Sequence, residues 1–121
     1  MSDPSFHQLV QEALALIPEE FRPYLENVAV IVEEEPDRAT RRRLGLEADE
    51  WLFGLYVGVP RIARGHDEPL LPDRILIYRR PLMEAYPDPE ELKREVAVTV
   101  LHEVAHAFGL DEDRLRELGW G

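Results

Sequence analysis

The chain contains no cysteine, which excludes disulfides, iron–sulfur clusters and any thiolate metal site. It has no long apolar run either, and nothing in it approaches the roughly 18 residues of a membrane span. The opening residues, MSDPSFHQ, lack a basic region leading into an apolar segment, so no secretory signal and a cytoplasmic location are expected. Positive charge is scarce: 14 Lys and Arg stand against 25 Asp and Glu, a formal net charge of −11. An excess of that size repels phosphate backbones, so neither nucleic acid nor a membrane is expected as a partner. Lys93 is the only lysine and Asn27 the only asparagine, while the ten prolines exceed average usage. Heat adaptation and a GC-rich genome both produce that bias, and nothing is built on it.

What remains suits one folded unit. At 121 residues, 45% of them hydrophobic and 32% charged, the expectation is a single domain over 1–121 with a core that needs no staples. A first helix is expected from Asp3 as cap and Pro4 in the first turn, with Phe6, Leu9, Val10, Ala13, Leu14 and Ile17 recurring at helical spacing until Pro18. Val28–Val32 is an unbroken β-branched run, which predicts a strand buried on both faces. Residues 37–50, with Arg41, Arg42 and Arg43 in a row, read as a solvated connection. Leu52–Val59 and Arg74–Tyr78 predict two more strands, with Gly54 and Gly58 marking a bulge or a close backbone approach. Helix, three strands and helix together make an α+β layer, helices packed on a sheet.

The last third carries the chemistry. Asp88–Pro89–Glu90–Glu91 is a helix start with a cap, a first-turn proline and capping-box spacing, and Gly109 supplies a left-handed stop after Phe108. From Val96 to Gly109 every residue is apolar or small except Thr99, His102, Glu103 and His106. Val96, Val100, Val104, Ala107 and Phe108 gather on one side, and the two histidines lie opposite. Ionisable groups on a helix otherwise fit for burial need partners, because unpaired buried polar groups are costly.

His102-Glu103-Val104-Ala105-His106 supplies a reason. Histidines four apart aim their imidazoles at one point, at the Zn–N distance. A glutamate directly after the first histidine faces the open side of such a metal, where it can take a proton from water and pass it to a leaving amine. Two histidines do not complete a tetrahedral site, and only 15 residues follow His106. The spacing H-E-x-x-H-x-x-G-x-x-ligand points to Glu112 as third ligand, with Asp111 and Asp113 flanking it as alternatives. The competing reading is that these three acids cap a last helix, Arg114–Leu118, with Asp113 the first choice for that task. His66, in the expected loop Pro60–Asp73, is a candidate fourth ligand or oxyanion donor. Tyr56 and Tyr78 are candidates to polarise a carbonyl, and Glu95 falls on the histidine face two turns earlier.

GLYVGVP, IYRRPL and the stretch YPDPEELKREVAVTVLHEVAHAFGLDEDRLRELGW resemble the small bacterial zincin-like metallopeptidases, or mini-zincins, over nearly the whole chain. The resemblance implies a minimal zincin-like domain: a short twisted sheet, an N-terminal helix, an active-site helix and a short C-terminal helix. It implies one zinc ion on His102 and His106, with Glu103 as general base. The family's third ligand is typically an aspartate three residues after the glycine, and here that position is Glu112. The methionine turn of larger metzincins has no counterpart after the motif, and the resemblance offers Trp120 as the aromatic that supports the site instead. Two functions follow. One is a zinc metallopeptidase acting on a peptide or protein substrate that adds to the sheet edge. The other is a catalytically inactive zincin-fold interaction or scaffold domain, its metal site empty or structural. Apolar strand edges also suit pairing into a homodimer.

Overall fold

The computed structural model describes residues 4–58 and 72–121. Helix α1 spans Pro4–Ala15, a 3₁₀ helix Glu19–Leu25, strand β1 Val28–Glu33 and helix α2 Arg38–Leu44. Strands β2, Gly54–Val57, and β3, Asp73–Tyr78, follow; then helices α3, Arg79–Ala85, α4, Pro89–Phe108, and α5, Glu112–Glu117. The sheet runs in the order β1-β3-β2, with β1 parallel and β2 antiparallel to β3. This is the small α+β arrangement that the sequence predicts, with a mixed sheet. No helix among the described residues is long and apolar enough to cross a membrane.

Helix α4 is the axis of the core. Leu92, Val96, Ala97, Val100, Leu101, Val104 and Ala105 are buried along it. They meet Ile75 and Ile77 of β3, Phe6, Val10 and Ala13 of α1, Ile17 and Phe21 just beyond it, and Leu115 of α5. Asp88 caps the helix by accepting from the Glu91 N–H at 3.0 Å. Gly109 ends it at φ 65°, a conformation open to glycine and strained for most other residues.

Several expectations change. β1 is half-buried rather than buried on both faces, because among the described residues it lies at a sheet edge. A β-branched run specifies a strand but not its place in the sheet. Residues 37–50 are not all connection. Asp37 accepts from the Thr40 N–H at 2.7 Å and starts α2, and Gly45 ends it. Helix α3, which begins within IYRRPL, is an element the sequence pattern does not announce. Ala107 and Phe108 do not join the buried side of α4: both are exposed, Phe108 by 46%. The last helix begins at Glu112, two residues early, and its cap is Asp111, which accepts from the Asp113 N–H at 2.9 Å. The Asp3 cap and His66 lie outside the described residues.

Candidate metal centre

The exposed turn of α4, the stop at Gly109 and the first turn of α5 together form the site. Helical spacing puts His102 and His106 one above the other, their ring centroids 6.4 Å apart. The chain then reverses at Gly109, where the Leu110 N–H returns to the Ala105 carbonyl at 2.9 Å. That reversal carries Glu112 back over both imidazoles. Its Oε1 lies 2.9 Å from His106 Nε2 and 3.3 Å from His102 Nδ1. The three side chains each offer one ligand atom, all within 4.8 Å of one another. The two imidazoles hold the Glu112 carboxyl below the usual carboxylate range, the His102 contact contributing most and His106 next.

These spacings can be compared with those around an ion. Two donors about 2.1 Å from one metal at a tetrahedral angle lie about 3.4 Å apart. The carboxylate oxygen lies 2.9 and 3.3 Å from the two imidazole nitrogens and all three ligand atoms lie within 4.8 Å of one another, so two nitrogens and one oxygen are grouped as a His/His/Glu metal site would need. The side chains are accessible for it: His102 is 32% exposed and His106 65%.

The flanking acids have other tasks. Asp111 caps α5, and Asp113 pairs with Arg116. Of the three acidic candidates, only Glu112 meets both histidines.

Glu103 lies beside this group. Its Oε2 is 4.0 Å from His106 Nδ1, and its Oε1 accepts from the main-chain N–H of Tyr56 in β2 at 2.8 Å. Sequence reasoning does not foresee the Tyr56 amide, since a main-chain donor has no residue-type signature. The indirect signal is Gly54. A Cβ there would sit 2.6 Å from the Thr99 methyl and 3.1 Å from the Leu76 carbonyl oxygen, so only glycine lets β2 come this close to α4. Gly58 shows no such crowding, its nearest neighbour being an ordinary 3.8 Å away.

Residues 25–120 match the model of the zincin-like metallopeptidases. The chain belongs to that family. A solved structure of a conserved hypothetical protein from Thermus thermophilus is similar to this zincin-like chain, with a TM-score of 0.56 and 26% identity over 87% of this chain and 92% of that one. No functionally curated protein matches.

The remaining candidates of this zincin-like chain are placed elsewhere or otherwise engaged. The Tyr56 hydroxyl donates to Asp73 Oδ2 at 2.5 Å, and its ring meets Phe108 edge-on. Tyr78 is buried, which raises its phenol above the ordinary value, with Asp37 and Glu33 adding to the rise. The Glu95 carboxylate is engaged with Tyr86, whose phenol is raised above its ordinary value chiefly by burial and further by Glu95. Trp120 packs on the core with the Arg94 guanidinium 4.8 Å above its ring, two turns of α4 before His102. Its place is that of a packing residue.

Proposed function

We propose that this chain is a zinc-dependent peptidase, with His102, His106 and Glu112 holding one zinc ion and Glu103 as general base. The observation that carries the reading is Glu112 Oε1, set 2.9 and 3.3 Å from two imidazole nitrogens on the turn just after the helix that presents them. Membership of a metallopeptidase family supports it. A zinc ion bound there would supply Lewis acidity that acidifies water towards neutrality and polarises a scissile carbonyl. Glu103 takes a proton from water on its unanchored oxygen, Oε2, and delivers it to the leaving amine. The two histidines act as metal ligands through their ring nitrogens. An extended peptide pairs with the outer edge of β2, the strand in contact with Glu103.

The test is zinc content of protein purified without chelator, with zinc titrations of wild type and His106→Ala. One zinc per chain, lost in His106→Ala, is expected. Glu103→Gln should keep that zinc and lose hydrolysis by at least the roughly 10²–10⁴-fold typical of general acid–base groups. A Glu103→Gln protein as active as wild type would exclude catalysis through this residue. Zinc binding without hydrolysis of any peptide would leave a zincin fold acting as a scaffold.

A further inference from the structure

The geometry points to the main-chain amide of Tyr56 as the positioning group for Glu103, an inference that rests on the peptidase reading for its catalytic consequence. The strand's hydrogen-bonding phase comes first. The Tyr78 N–H donates to the Phe53 carbonyl at 2.9 Å, and Phe53 lies one residue before β2. In an antiparallel pair the bonded positions alternate, so Leu55 and Val57 turn their main chain to β3. Gly54 and Tyr56 therefore turn theirs to the outer edge, which among the described residues is the edge of the sheet. An outward N–H would normally meet water or an incoming strand. At Tyr56 it meets the Glu103 carboxylate at 2.8 Å, a bond strengthened by the charge of its acceptor.

That contact divides the labour of one carboxylate. Oε1 is fastened to the sheet, while Oε2 stays on the histidine side, 4.0 Å from His106 Nδ1. A glutamate has three rotatable bonds, and anchoring one oxygen fixes the orientation of the other before any substrate arrives. The partners are 47 residues apart in the chain. They meet only because α4 runs close beneath β2, at the Gly54–Thr99 crossing one helical turn before Glu103.

Amide hydrogen exchange followed by NMR on the full-length protein tests the anchor without reference to activity. The Tyr56 amide should exchange more slowly than the outward Gly54 amide. In Glu103→Ala it should speed up at least tenfold, while Leu55 and Val57 are unchanged. Equal Tyr56 exchange in both proteins would overturn the proposal. The catalytic consequence is read by replacing the residue 56 amide with an ester, which removes the donor and keeps the tyrosine side chain. The probe is a quenched fluorescent peptide, chosen from a mixed-sequence library as one that the zinc-loaded wild type cleaves. A fall in kcat of about 10- to 100-fold is expected, the range for groups that orient a site's working side chains. KM and zinc stoichiometry should be unchanged. A raised KM with kcat intact would assign the amide to substrate pairing and overturn the positioning role. If zinc-loaded wild type cleaves nothing in the library, the peptidase reading fails, and the exchange experiment still decides the anchor.

Discussion

The crossing of β2 over α4 is open to a direct energetic test through Gly54→Ala. The added Cβ would lie 2.6 Å from Thr99 Cγ2 and 3.1 Å from the Leu76 carbonyl oxygen. The methyl cannot simply rotate away, because the Thr99 hydroxyl on the same Cβ is held by the Glu95 carbonyl at 2.8 Å. Relief therefore has to come from separating strand and helix, and overpacking of that kind costs about 1–3 kcal/mol. Thr99→Ser removes the clashing methyl and keeps the hydroxyl; by itself it should cost no more than about 0.8 kcal/mol for one lost carbon. In the double variant the two costs should not add. A coupling of at least about 0.5 kcal/mol in the rescuing direction is expected, with rescue incomplete because the Leu76 contact persists. Urea unfolding followed by circular dichroism gives all four stabilities, with a common m-value as the check that only stability has changed. A Gly54→Ala protein within about 0.5 kcal/mol of wild type, or an additive cycle, would refute the close crossing.

Three further outcomes can be measured. Leu101→Ala empties a fully buried position and should cost about 2–5 kcal/mol by the same urea assay, whereas Leu16→Ala, at a position 46% exposed, should stay within about 0.5 kcal/mol. Glu112→Ala should weaken zinc binding in competitive titration by more than about 100-fold, beyond the loss expected for groups that only orient ligands, while Asp111→Asn and Asp113→Asn lose less than about tenfold. Tyr78 gives the pH dependence. Its phenol is raised in the folded chain, chiefly by burial, so above the ordinary phenol pKa the unfolded chain loses a proton that the folded chain keeps. Its share of stability is therefore whole below about pH 10 and falls as pH rises from there, by at most about 1.4 kcal/mol per unit. Tyr78→Phe should flatten the alkaline decline in unfolding free energy, and an unchanged decline would count against the buried phenol as its source.

What the sequence determined by itself is whatever depends on neighbours along the chain. Asp88, Pro89 and Gly109 set the ends of α4 within a residue, because caps and stops act over three or four positions. The pairing of His102 with His106 follows from helical spacing, and the return of an acidic residue towards them from a short turn after glycine. The same local logic extends to α2, where Asp37 and Gly45 bracket seven residues, but the run of arginines there reads equally as a solvated connection. Local signals are also too coarse to choose among Asp111, Glu112 and Asp113, since a carboxylate at any of the three suits both the start of a helix and a metal. The fold chose by giving Asp111 the cap and Asp113 to Arg116, and by setting Glu112 against both imidazoles. Only the tertiary structure placed β1 at an edge among the described residues, exposed the end of α4 and brought a strand amide to Glu103. Those outcomes depend on which surfaces meet across long separations, and the 47 residues between Tyr56 and Glu103 carry no pattern that announces the contact. Its one trace in the sequence is Gly54, the missing side chain that lets strand and helix approach.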